Sequence, residues 1–171
     1  MRLFFALWPD SDVRRELAGW VSALRARVRG RPTRTENLHA TLAFVGEVDP
    51  AAVTRLGDVA AALRAPAVDL ALDAVHYWPH NGIVYAACSN MPPALVALAG
   101  AMQAGLAAAG FRVDTRGYVV HVTLLRDVRR APQFDPVSPL LWRVRDIALV
   151  ESTRAEGVLV YRPIRRFTLT D

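Results

Sequence analysis

The chain has 171 residues, 53% of them hydrophobic, which is enough apolar material for a core of its own. No apolar run reaches the roughly 18 residues of a membrane span, so an integral helical membrane protein is not expected. The net charge of +5 rests on 21 basic residues, all arginine, and permits anionic partners such as RNA. With no lysine and abundant alanine, that arginine count reflects compositional bias, so the position of particular arginines matters more than their number.

Leu3 to Leu7 reads as a first strand rather than a signal peptide, because no small-residue cleavage site follows it. The Pro9–Asp12 turn can cap a helix, and Val13, Leu17, Trp20, Val21, Leu24 and Val28 then recur at helical spacing. Leu38 to Val45 is a strand closed by Gly46, and Asp49-Pro50 opens a second helix running to about Leu63, with Asp49 as its cap. Val68 to Tyr77 alternates as one strand, and Ile83 to Cys88 pairs back after the turn Pro79-His80-Asn81-Gly82. Cys88, the one cysteine, excludes an intramolecular disulfide and is expected as a buried, inert thiol, which fits a cytoplasmic location. A third helix follows Pro92-Pro93 and stops at Gly110. Val119 to Leu125 is another strand, and 131–139 a proline-rich loop. Trp142–Glu151 and Gly157–Tyr161 form an antiparallel pair, and Arg165–Leu169 a short last strand.

Two of these strands carry nearly the same words, His39-Ala40-Thr41-Leu42 and His121-Val122-Thr123-Leu124. A strand repeats its side-chain direction every two residues, so each histidine shares a face with its threonine. Each motif strand belongs to its own set of strands and helices. The order implies an α+β fold, duplicated and bilobal, with two antiparallel sheets facing a central cleft and helices outside. Residues 1–171 then form a single bilobal domain.

Histidine gives and takes protons near neutral pH without special tuning. Two imidazoles flanking one phosphate ester can divide the work: the neutral ring takes a proton from water, and the charged ring gives one to the leaving oxygen. Thr41 and Thr123 would hydrogen-bond the non-bridging oxygens. The scheme needs no metal and no cofactor. By strict alternation Arg126 points away from the His121 face, unless a bend at the strand end returns it to hold a phosphate or stack on a base. Phe44 likewise falls opposite His39, which makes it a core residue by default and a base-stacking residue only at the cleft edge. His76 and His80 have zinc-like spacing, but the surrounding turn argues against a metal site. Asp114, Thr115, Arg116 and Tyr118 precede the second motif and are expected at the cleft rim. Arg129-Arg130 and Arg165-Arg166 are small basic pairs that could guide an RNA backbone.

Taken with Arg2–Leu7, Asn37–Val48 and His121–Asp127, the twin motif resembles the two-histidine phosphoesterase superfamily. More narrowly it resembles the RNA 2′,3′-cyclic phosphodiesterases, also called 2′-5′ RNA ligases. The resemblance implies hydrolysis of an RNA terminal 2′,3′-cyclic phosphate to a 2′-phosphate, without metal, with reversible 2′-5′ joining as an accompanying activity. It implies His39 as proton donor to the 3′ oxygen and His121 as proton acceptor from water. Thr41 and Thr123 would bind the phosphate, Arg126 would sit by the phosphate or base, and Phe44 would contact the base. Val120 stands where proline is common in relatives. A monomer is expected, acting on RNA ends such as those of tRNA halves, splicing products or decay fragments. Two other functions fit the same residues: a phosphodiesterase on a cyclic nucleotide or other small cyclic phosphate, and a non-catalytic RNA-end binding module.

Overall fold

The structure, a computed structural model, describes residues 1–114 and 116–170. Its elements in chain order are β1 (Arg2–Leu7), α1 (Ser11–Arg25), β2 (Arg31–Pro32), a 3-10 turn (Thr35–Asn37), β3 (Ala40–Glu47), α2 (Ala52–Ala62), β4 (Val68–Leu72) and β5 (Ala74–Trp78). They continue with β6 (Ile83–Ala87), α3 (Pro93–Ala108), β7 (His121–Arg126), β8 (Leu140–Val144), β9 (Asp146–Ala155) and β10 (Val158–Thr168). The class is α+β, with two antiparallel sheets of unequal size.

The large sheet runs β10-β9-β1-β3-β7-β6-β5, with β2 also paired to β7; the small one is β4-β8. The large sheet has two halves. β3 meets β7 through one residue pair, Ala40 opposite Val122, whereas β1 pairs with β3, and β6 with β7, over several residues. An antiparallel ladder pairs numbers of constant sum. Continued by one residue each way, this register sets His39 against Thr123 and Thr41 against His121. The twin motifs therefore meet at the seam between the halves.

One face of the large sheet is buried. Leu3, Phe5 and Leu7 of β1, Ala40 and Leu42 of β3, and Val122 and Leu124 of β7 join one apolar core. Leu17 of α1, Leu56 of α2, Leu98 and Met102 of α3, and Leu70 and Trp142 of the small sheet close over it. The other face carries the alternate residues Phe4, Ala6 and Trp8 with Ala148 and Val150, a smaller apolar cluster beside the histidines.

Several boundaries differ from the sequence expectation. Val68–Tyr77 is two strands: β4 leaves for β8, while β5 stays with β6 in the large sheet. Trp142–Glu151 divides the same way between β8 and β9. The predicted last two strands are one, β10, which stays paired with β9 across a register shift between Pro163 and Arg165. Helix α1 is capped by Asp10, whose carboxylate accepts from the Asp12 and Val13 amides, and stops three residues short of Val28. Asp49 does not cap α2; it accepts from the Ala51 amide in the preceding turn. Cys88 lies just past β6 and is half-buried, and burial pushes its thiol pKa up.

Candidate active site

Both motif strands break their alternation at the same place. Thr41 stands opposite Ala6, but Ala43 is opposite Phe5, so Leu42 has no partner. In β7, Thr123 stands opposite Tyr85 and Leu125 opposite Val84, so Leu124 is skipped. These are β-bulges, and each sends two consecutive residues toward the core. Leu42, Ala43, Leu124 and Leu125 are all buried. The fifth residue after each histidine, Phe44 in one half and Arg126 in the other, is thereby returned to the histidine face. Strict alternation placed both on the opposite face, and the bulges overturn that expectation. Phe44 is 58% exposed and stands opposite Phe4, 6.3 Å between ring centroids. Arg126 lines a cleft of about 500 Å³ together with His39, Thr123, Asn37, Arg34 and Tyr161.

Each imidazole is held the same way. His39 Nδ1 is 2.6 Å from the Asn37 carbonyl, and His121 Nδ1 is 2.9 Å from the Val119 carbonyl. A carbonyl only accepts, so Nδ1 carries the proton in both rings, and Nε2 of the neutral ring presents a lone pair. His39 Nε2 lies 3.2 Å from Thr41 Oγ1, whose hydroxyl donates to it. Asn37 is itself fixed: it is buried, its Nδ2 donates to the Leu159 carbonyl, and its Oδ1 accepts from the Tyr161 amide. The β9–β10 half is thus tied directly to the carbonyl that orients His39.

Aromatic rings wall both histidines. Phe4 and Tyr161 lie 5.0 Å from His39, and Trp8 stacks on it at 5.8 Å. Trp78 meets His121 edge-on at 4.7 Å, with Tyr85 at 5.8 Å. Burial among these rings disfavours the imidazolium, and the Arg126 charge adds to the effect on both. His39 is pushed down to about 4, and His121 is lowered in the same direction.

The other expected positions fall outside this cleft. His76 and His80 belong to a β5–β6 hairpin closed at Gly82, and no group of three or more metal-ligating side chains occurs among the described residues. Asp114 and Arg116 pair with each other at the surface, and Tyr118 packs against the main core; Thr115 lies outside the described residues. Sequence reasoning missed Asn37, Phe4, Trp8, Tyr161, Trp78 and Tyr85. Phe4 and Trp8 had a signal, since they alternate with the core residues of β1. Asn37 and Tyr161 had none, because their roles arise from a contact spanning 124 positions.

Residues 7–85 match the family model described as LigT-like phosphoesterase. Over 99% of its length the chain is 32% identical to the RNA 2′,3′-cyclic phosphodiesterase of Escherichia coli (strain K12), covering 97% of that protein. It is 30% identical to the enzyme of the same name from Thermus thermophilus, covering 99% of the chain and 90% of the relative. The solved structure of E. coli LigT complexed with 3′-AMP superposes with a TM-score of 0.89 at 30% identity, covering 99% of this chain and 98% of that one.

Proposed function

This chain belongs to the LigT-like phosphoesterase family, and from that premise we propose that it hydrolyses an RNA terminal 2′,3′-cyclic phosphate to a 2′-phosphate. The observation that carries the proposal is the pair of imidazoles at the seam. Each is locked as the Nδ1–H tautomer by a main-chain carbonyl two residues upstream, and each shares its face with a threonine. The relatives named RNA 2′,3′-cyclic phosphodiesterase, and the relative's complex with 3′-AMP, support a nucleotide end as the substrate.

In the proposed reaction His121 Nε2 takes a proton from water as the water oxygen bonds to phosphorus. The P–O3′ bond breaks, and His39 gives its proton to O3′. Each proton transfer contributes about 10²–10⁴-fold in rate. Thr41, Thr123 and Arg126 hold the phosphate oxygens as charge builds on them, and Phe44 stacks on the base. In the free protein His39 is neutral at pH 7, since burial pushes its pKa down to about 4. The negative charge of the bound phosphodiester favours the imidazolium and draws His39 back toward the range where it can donate. The whole chain acts as one bilobal unit, because each half supplies one imidazole.

The test is turnover of an oligoribonucleotide ending in a 2′,3′-cyclic phosphate, with EDTA present. We expect a 2′-phosphate product, and His39→Ala and His121→Ala each slower by at least about 100-fold. Turnover that survives either substitution removes the acid–base pair. Tight binding of the same end without turnover between pH 5 and 8 would make the protein a binding module.

A further inference from the structure

Five arginines lie between positions 25 and 34, at the end of α1 and along β2. The fold sets this segment against the end of β7, where Arg126, Arg129 and Arg130 stand. Arg31 pairs with Arg126 in the ladder, and its guanidinium binds Asp127 at 2.8 Å. Gly30 packs so closely that a Cβ there would come within 2.6 Å of the Val128 side chain. Eight arginines thus gather around β2 and the chain that follows β7, and three of them, Arg31, Arg34 and Arg126, line the cleft itself. Three have carboxylate partners, which are Asp127, Asp135 and Glu36. The other five have no carboxylate partner among the described residues. Of these, Arg25, Arg29, Arg129 and Arg130 are exposed.

The patch is continuous with the cleft. A second groove of about 740 Å³, lined by Ser22, Arg25, Thr35 and Glu36, shares Pro32, Thr33 and Arg34 with the wall of the active site. A strand end seated at His39 and Arg126 therefore has a basic path leading away from it over Arg34 toward Arg25.

We propose that this arginine-rich side, from Arg25 to Arg34 and around Arg129-Arg130, is the track for the sugar–phosphate backbone of a single-stranded RNA behind its cyclic end. The substrate is then a polynucleotide, not a free cyclic nucleotide. The proposal rests on the catalytic assignment above but adds a distinct claim, namely that binding energy comes from phosphates remote from the reacting one. Backbone contacts of this kind release counterions, so affinity falls steeply with salt, by a slope of about 0.7 for each phosphate neutralised on a single strand.

The experiment compares an oligoribonucleotide ending in a 2′,3′-cyclic phosphate with a 2′,3′-cyclic mononucleotide, read as kcat/KM across a salt series. A variant carrying Arg25→Gln, Arg29→Gln, Arg129→Gln and Arg130→Gln is assayed beside it; none of the four lines the cleft. For the unaltered protein we expect the oligonucleotide value to fall tenfold or more between about 50 and about 200 mM salt, and the mononucleotide value far less. In the variant the oligonucleotide value drops at least tenfold, mainly through KM, with a shallower salt slope, while the mononucleotide value stays within twofold. Equal loss on both substrates, or a salt slope the variant leaves unchanged, overturns the track. Loss of binding to anionic phospholipid vesicles with oligonucleotide kinetics intact also overturns it, assigning the patch to a lipid surface. Fluorescence anisotropy of the same oligonucleotide is measured in parallel. If neither substrate turns over, the catalytic assignment fails and the track is judged by whether the variant binds the strand at least tenfold more weakly.

Discussion

His39 and His121 are alike in backbone and tautomer but not in surroundings. Three aromatic rings crowd His39, two approach His121, and the Arg126 charge disfavours protonation of both. Both pKa values therefore lie below the ordinary 6.5 in the free protein. An acid–base pair needs one ring charged and the other neutral, and kcat/KM reports the free protein's groups. The kcat/KM profile should peak on the acid side of 6.5 and decline through neutrality. Arg126→Gln removes a cation that lowers both rings, so both limbs should move to higher pH; limbs that stay in place refute this electrostatic account. The same shift acts on stability. The folded His39 titrates near 4 against 6.5 in the unfolded chain, so between those values the unfolded chain binds more protons. Stability is full above 6.5 and declines as pH falls toward 4, by on the order of 3 kcal/mol for the whole shift. Denaturant midpoints at pH 7 and 4.5 should separate by less in His39→Gln than in the unaltered protein.

The motif strands show what alternation conveys and where it stops. Each histidine and its threonine share a face as period-two spacing requires, and the hairpin around His80 was legible from Pro79 and Asn81-Gly82. The fifth position was misplaced because a bulge changes which residues face inward while leaving the strand continuous. A trace of it was present all the same. Leu42-Ala43 and Leu124-Leu125 are consecutive apolar pairs at the same offset in both motifs, where alternation calls for one inward residue and one outward. The bulge predicts that Leu124→Ala and Leu125→Ala both cost about 2–5 kcal/mol in chemical unfolding. Strict alternation leaves Leu125 on the open face, and a nearly free Leu125→Ala would remove the bulge from the account. The divided strands β4/β5 and β8/β9 were illegible for another reason. Their apolar pattern continues across Asp73 and Arg145, and only the choice of partner strand distinguishes the two segments. Gly82 closes the β5–β6 hairpin at φ +65°, with the Val128 carbonyl 2.8 Å from where a Cβ would stand. Gly82→Ala should lower the melting temperature by at least about 2–4 °C, corresponding to 1 kcal/mol or more.

Across the whole molecule, two halves meet through one ladder pair in the sheet, yet the apolar core beneath runs through both. The core, not the seam, holds the motifs together. Unfolding should therefore be one transition, with circular dichroism and tryptophan fluorescence coincident, since Trp8 and Trp78 report from opposite halves. Separated transitions would mean the halves are independent. Charge is less evenly shared than the core, because eight of the 21 arginines gather around β2 and the chain that follows β7. Composition could not show this. Only the pairing of β2 with β7 sets residues near 30 beside residues near 128.

The matched bulges carry a last consequence. A cleft built from two equivalent strands has no front or back, whereas a nucleic-acid terminus has both. The backbone presents the same slot twice, five residues beyond each histidine, and one slot holds a flat apolar ring while the other holds a cation. The site's sense of direction is thus inscribed in side chains laid over a nearly symmetric frame. With the roles proposed above, a ligand entering backwards would set its phosphate against Phe44 and its base against Arg126.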